Sequence, residues 1–240
     1  MLILAIETST QQLGVAVADG DRLVSSYALL AENPHAVELP DAVTRVLKAA
    51  RTTLGQVDAI AVDIGPGSFT GLRIGLAFVK ALAFPMKKTV VGVPSLDVLA
   101  ANLPFASRQV CPLLDAKQQN VYGALYRVDE NSPRRQTDYL LAPVEELLSQ
   151  IKEPTIFLGD GCARYREQIV ARVGALASFA APELWLPKAE TLARLGVERL
   201  CCGQRDDPAG LVPMYLYPQD ASINPRIRQT VAAGKPVAAS

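Results

Sequence analysis

The sequence predicts an α/β protein built from two similar lobes. Three observations carry this. First, "LILAIETSTQQLGVAVAD" near the start and "VCPLLDAKQQNVYGALYRVD" from Val110 share one pattern: an apolar strand, an acid (Glu7, Asp115), a polar turn containing Gln-Gln, and an alternating strand. Second, "AIAVDIGPGSFTGLRI" and "TIFLGDGCARYREQIV" share another: strand, acid and glycine, then helix. Third, the spacings are 108 residues from Glu7 to Asp115 and 96 from Gly65 to Gly161. Both exceed the ~20–50-residue period of a solenoid, so they point to one duplicated lobe. The alternative is two unrelated hairpins. The agreement in order and in acid placement favours duplication.

Each element follows from local signals. "LILAIETST" is a buried-strand run, "LGVAVADG" a second strand with a turn at Asp19-Gly20, and "DRLVSSYALL" a third. "ENPHAVELPDAVTRVLKAARTTLG" reads as a helix, with Asn33 at the N-cap, Pro34 at the first helical position and Val43, Val46, Leu47 and Ala50 at helical spacing. Pro40 is expected to kink or delay it. "VDAIAVDIG" is a fourth strand, followed by a helix from about Ser68 to Ala83 that Pro85 should stop. "KTVVGV" is a fifth strand, and "SLDVLAANL" a helix capped by Ser95. "AETLARLGVERLCCG" is a late amphipathic helix. These elements divide the chain into a first lobe over 1–105, a smaller second lobe over 106–220, and a tail over 221–240. The tail carries Arg226, Arg228 and Lys235 and no acid, and its Pro, Ala and Gly content predicts disorder.

Composition narrows the function classes. The chain has 240 residues, half of them hydrophobic, and 24 basic against 24 acidic side chains. That balance argues against a basic face that grips nucleic acid unaided. The opening "MLILAIETST" is too short for a signal peptide and lacks a basic n-region. "IGLAFVKALAF" is interrupted by Lys80 and preceded by Arg73, short of the ~18 apolar residues a membrane span needs. Cys111, Cys162, Cys201 and Cys202 form no CxxC pair and read as reduced, buried thiols of a cytoplasmic protein.

"DIGPGSFTGLRIG" holds four glycines and a proline in thirteen positions. It fails the dinucleotide fingerprint, because Thr70 stands where the third glycine belongs, and it fails the Walker pattern for want of a lysine. Gly67, Gly71 and Gly75 instead lie four residues apart, with Val79 and Ala83 continuing the row. On a helix this is a face of minimal bulk. Each interior glycine costs about 1 kcal/mol against alanine, so another backbone should approach closely. It belongs either to the same lobe or to another chain, and spacing favours neither.

Catalytic constellations are sparse. His35 is the single histidine, which rules out a His pair for metal and leaves only a poorly placed triad candidate. Ser68 sits in "GPGSFTG", which is not a nucleophile elbow. Glu7 and Asp115 follow their strands and could face a cleft between the lobes, where paired acids suit magnesium-nucleotide binding, or they could simply end strands and cap turns.

Duplicated strand-turn-strand lobes with an acid after the first strand resemble the actin-like ATPase superfamily (ASKHA, ribonuclease H-like). Within it, "IETST", "DIGPGSFTGLRIG", "VVGVPSLDVLA" and "LLDAKQQNVYGALY" resemble the TsaB (YeaZ) family over most of residues 1–126. The resemblance implies a scaffold subunit without catalysis of its own. Such a subunit binds the catalytic subunit TsaD, together with the ATPase TsaE, for N6-threonylcarbamoylation of adenosine 37 in tRNAs reading codons that start with A. TsaD carries an H-x-x-x-H metal motif, and Ser95 and Leu99 stand at the corresponding places here. Neither replaces an imidazole ligand. The resemblance further implies no cofactor or metal of the chain's own, ATP or ADP at the interface of the complex, a homodimer in the absence of partners, and only indirect contact with tRNA.

A branched Glu7-Thr8-Ser9-Thr10 loop replaces the glycine-rich phosphate loop of the superfamily, which argues against autonomous ATP hydrolysis. The competing reading is an actin-like ATPase or phosphotransferase using Glu7 and Asp115. Family members often end in Tyr-Leu-Arg, whereas this chain has Tyr215-Leu216-Tyr217. The helix around 68–83 and the helix starting near Pro34 are expected to pack against TsaD or a second copy, with Gly67, Phe69, Gly71, Arg73 and Gly75 at or just behind that surface, so that Gly71→Leu blocks association and leaves the monomer soluble.

Overall fold

The computed structural model describes residues 1–30, 35–129 and 132–216. The predicted Asn33 cap, Pro34 and the 221–240 tail lie outside them. Strands β1 (Leu2–Glu7), β2 (Gln12–Asp19), β3 (Arg22–Leu30), β4 (Ala59–Gly65) and β5 (Thr89–Pro94) form a sheet in the order β3-β2-β1-β4-β5. β1 runs antiparallel to β2 and parallel to β4, and β4 is parallel to β5. The second sheet repeats this plan. β6 (Gln109–Asp115), β7 (Asn120–Gly123), β10 (Leu140–Pro143), β11 (Thr155–Leu158) and β12 (Ala177–Phe179) lie in the order β10-β7-β6-β11-β12, with the same strand directions. The alternating strand expected after Asp115 is interrupted at Ala124-Leu125. Its far half, β8 (Tyr126–Asp129), pairs with β6 and with an added strand, β9 (Ser132–Arg135). Two lobes with one topology are the actin-like fold that the repeats predicted.

Alternation sorts the first sheet's residues. Leu4, Ile6, Val15, Val17, Ile60 and Val62 face α1 (His35–Ala49) and α2 (Phe69–Met86), while Ile3, Ala5, Ala16, Ala59 and Ala61 face the opposite way. That small-residue face receives α6 (Ala189–Cys201), with Gly196 tight against Ala61. The lobes therefore exchange helices. α6, inside the stretch read as the second lobe, covers the first sheet. α3 (Ser95–Ala100) follows the first sheet, yet its Leu96 and Leu99 pack with Val110, Leu114 and Tyr126 of the second. α4 (Val144–Ser149) and α5 (Gly161–Val173) complete the second lobe's core with Leu147, Tyr165 and Ile169. Residues 206–214 return to the first lobe, where Asp206 bridges Val90 and the Met214 N–H donates to the Ile64 carbonyl.

Several local expectations shift. α1 runs through Pro40, whose missing N–H forgoes only the bond to the Ala36 carbonyl. α2 passes Pro85 and ends at Lys87, whose left-handed backbone (φ 51°) closes onto the Ala83 and Phe84 carbonyls. Both β4 and β11 lead into a left-handed glycine, Gly65 (φ 100°) and Gly159 (φ 111°), so Gly159 rather than Gly161 makes the second-lobe turn. Cys111 and Cys162 are buried as expected, and burial pushes Cys162 up to about 12, but Cys201 and Cys202 are exposed at the end of α6. α2 is long and apolar enough, by composition alone, to cross a membrane. Its Leu72, Leu76, Val79 and Ala83 are nevertheless buried in the first lobe.

Candidate partner surface and inter-lobe cleft

The glycine row settles on the chain's own backbone. A Cβ on Gly71 would overlap the Thr8 carbonyl oxygen, one on Gly67 the Ser9 carbonyl oxygen, and one on Gly75 the Thr8 hydroxyl. The β1–β2 turn (residues 8–11) thus lies in the groove, and the Ser68 N–H donates to Ser9 O at 2.6 Å. Ser68 Oγ caps α2 by accepting the Gly71 N–H. Of the residues expected at or just behind a partner surface, Gly71 and Gly75 are buried on the inner side of α2, Gly67 is half-buried in the turn before it, and all three face the chain's own β1–β2 turn. Gly71→Leu would damage the fold rather than the association. Phe69 and Arg73 are exposed. The Arg73 guanidinium lies 3.7 Å over the Phe69 ring, its Nε donates to Tyr215 Oη, and the Tyr215 ring centroid is 5.4 Å from that of Phe69.

The two acids ending equivalent strands have different fates. Each carboxylate accepts the N–H two residues on, Ser9 to Glu7 and Lys117 to Asp115. Glu7 is fully buried behind the turn and faces Asp63 at the end of β4. Its Oε1 accepts both the Ser9 N–H and the Ser9 hydroxyl at 2.6 Å. Asp63 Oδ1 accepts the Gly65 N–H and the Ser95 hydroxyl. Ser95 therefore opens α3 without capping it, its hydroxyl being committed to Asp63, and Leu99 is core. Asp115 stays at the surface of the inter-lobe cleft, paired with Lys117 and Arg164 at 3.1 Å each. Burial opposes its ionisation, but bonds from Lys117 and Arg164 outweigh that and hold the carboxyl below its usual value. Burial pushes neighbouring Asp160, which accepts the Asp115 N–H, upward.

The cleft has a volume of about 670 Å³. Thr10, His35, Phe69 and Thr70 line it from the first lobe, and Asp115, Lys117 and Tyr122 from the second. Glu7 does not line it. A ligand in the cleft would meet Asp115 but not Glu7, so the structure does not bring together the two acids that an ATPase would use. His35 Nε2 contacts the Thr10 carbonyl at 2.8 Å, which anchors the start of α1 to the same turn that fills the glycine groove. The sequence reading missed Asp63, the carboxyl facing Glu7. It lies inside "DIGPG", but its partner is 56 residues away and only the parallel β1–β4 register aligns them.

Beside the cleft, the outward sides of α1 and α2 expose apolar groups. Phe84 is 72% exposed, Val37 68% and Phe69 53%, and Ala77 and Ala81 are exposed on the same side of α2.

A family model described as "TsaD: tRNA N6-adenosine threonylcarbamoyltransferase" matches residues 29–224. A protein of Bacillus subtilis named "tRNA threonylcarbamoyladenosine biosynthesis protein TsaB" is 32% identical over 220 residues, which cover 90% of this chain and 94% of that protein. The chain belongs to the TsaB family. A solved TsaB-type structure, YeaZ from Pseudomonas aeruginosa, superposes with a TM-score of 0.77 at 29% identity, covering 90% of this chain and 99% of that one. The ethanolamine utilization protein EutJ from Carboxydothermus hydrogenoformans aligns at TM-score 0.53 and 11% identity, over 82% and 90% of the two chains, a likeness of fold alone. In this TsaB-family chain, "IETST" is the end of β1 and the buried turn after it, and "DIGPGSFTGLRIG" is the end of β4, its turn and the start of the helix that closes over that turn.

Proposed function

We propose that this chain is a non-catalytic scaffold in the formation of N6-threonylcarbamoyladenosine at adenosine 37 of tRNA, binding the catalytic subunit TsaD together with TsaE and pairing with itself when alone. Family membership supplies the pathway. The observation that carries the scaffold role is the division of labour around α2. Its inner side is sealed on the β1–β2 turn and walls Glu7 off from the cleft, while its outer side, with that of α1, presents Phe69, Ala77, Ala81, Phe84 and Val37. Glu7 is buried away from the Asp115 of the cleft, and the apolar groups a partner would need are exposed. ATP or ADP at the interface of the complex, only indirect contact with tRNA, and a cytoplasmic location belong to the same reading.

Size-exclusion chromatography of the chain with and without TsaD, paired with an assay of tRNA modification by the mixture, tests it. Ala77→Glu, on the exposed side of α2, should leave the monomer folded and abolish both co-elution and modification. Wild-type co-elution by that variant would show the surface to be elsewhere.

A further inference from the structure

We propose that Glu7 and Asp63 share one proton between Glu7 Oε2 and Asp63 Oδ2, and that this buried bond is a latch holding the β1–β2 turn beneath α2, so that the two acids are positioning residues for the partner-facing helices. The geometry is specific. Each carboxyl has one oxygen with two donors, from Ser9 on one side and from Gly65 and Ser95 on the other. Each has a second oxygen, Glu7 Oε2 or Asp63 Oδ2, that is buried and has no donor. Two facing carboxylates cannot both stay ionised and unsatisfied in an interior. A single proton satisfies both oxygens and removes the repulsion. Burial pushes Glu7 well above the usual carboxylate range, and the charge of Asp63 and a bond to it push the same way; the Ser9 bonds offset this only in part. Burial also raises Asp63, against the bonds from Glu7, Ser95 and Gly65 that favour its charge. Burial thus pushes both carboxyls toward the protonated form, and one proton held between them relieves both.

The latch joins three elements. Glu7 fixes Ser9, whose carbonyl receives the Ser68 N–H that begins α2. Asp63 fixes the Gly65 turn into α2 and the Ser95 start of α3. Ionisable groups on the surrounding elements are engaged elsewhere or lie at their ends. α1 contributes His35, held on Thr10. α3 contributes Asp97, held by Tyr126, Tyr139 and Arg199. α6 begins with Lys188 and Glu190 around Ala189, which packs near Gly14. β5 and the buried side of α2 contribute none.

The latch rests on the proposed scaffold reading only for its effect on association. Between the ordinary glutamate value and the raised folded one, the folded chain keeps a proton that the unfolded chain has released. Its folding equilibrium should therefore weaken by up to about tenfold per pH unit as pH rises. Glu7→Gln keeps the acceptor for Ser9 and donates an amide N–H to Asp63, so it should lose that component of the slope and gain stability relative to wild type as pH rises from about 5 to 8. Carboxyl-carbon NMR should find one proton held by the Glu7–Asp63 pair at neutral pH. A wild-type-to-Glu7→Gln difference that is flat with pH, two ionised carboxyls, or stability that depends on added sodium, potassium or magnesium would each overturn the shared proton.

For the latch, amide exchange at Ser9 and over residues 69–72 should accelerate in Glu7→Ala and not in Glu7→Gln. Association with TsaD should fall in the alanine variant alone. Equal protection in both, or association untouched by Glu7→Ala, would overturn the positioning role. If wild type itself fails to associate, the scaffold reading falls and the pH slope still decides the shared proton. Should Glu7→Ala not fold, the Glu7→Gln slope and the NMR measurement decide.

Discussion

Gly71 presses its bare Cα against the carbonyl oxygen of Thr8, leaving no space for a Cβ. With Gly67 of the preceding turn against the Ser9 carbonyl oxygen and Gly75 against the Thr8 hydroxyl, it makes the floor on which the β1–β2 turn rests. Gly71→Ala would gain about 1 kcal/mol of helix propensity. It should nevertheless destabilise the chain by about 3 kcal/mol, because a backbone atom and not a flexible side chain must move. Thermal unfolding of the purified variant measures this; unchanged stability would mean that the turn yields freely.

Asp97 of α3 gathers groups from the second lobe and from α6, which covers the first sheet. Its Oδ1 accepts the Tyr126 and Tyr139 hydroxyls at 2.8 Å each, and its Oδ2 pairs with Arg199 of α6 at 2.7 Å. Asp97→Asn removes the charge while keeping the shape. With Arg199 part-exposed, the loss should be about 2 kcal/mol. Denaturant unfolding should show the lower midpoint, and Arg199→Ala added to Asp97→Asn should cost less than the two single losses summed.

Asp115 is held below its usual value, so its stabilisation is complete above the unfolded aspartate value of about 3.9 and vanishes as pH falls through the lower folded one. Its cationic partners are largely solvated, which limits the effect of Asp115→Asn to under about 1 kcal/mol at neutral pH. Stability measured from neutral pH down to about pH 3 should show wild type and variant converging as Asp115 takes up its proton.

Nucleotide turnover separates the scaffold from the ATPase reading. With Glu7 sealed away from Asp115 and Asp160, the two acids that line the cleft, the purified chain alone should hydrolyse ATP no faster than background. A robust rate abolished by Glu7→Ala would require the turn to open and would overturn the scaffold.

Much of this was legible beforehand. The acid-after-strand repeat located both sheets, because strand periodicity is local and survives duplication. "GPGSFTG" matches neither nucleotide fingerprint, because those motifs demand glycines and a lysine at fixed offsets. The every-fourth-residue glycine row signalled a close backbone approach and left open which chain supplied it; the structure puts the chain's own β1–β2 turn there. A helix face announces its bulk and not its neighbour.

What the sequence determined by itself is the duplicated α/β plan, the strand ends at Glu7 and Asp115, the absence of a histidine pair, and the family signature. Each rests on residues within one turn, one strand or one short motif. Tertiary structure decided the rest. It brought Thr8 into the glycine groove, set Asp63 against Glu7, sent α6 back to the first sheet, and left Phe84 and Val37 facing outward. These pairings join residues tens of positions apart. They are fixed by strand register and by which faces find enough apolar area to bury, and no short window of sequence contains that sum.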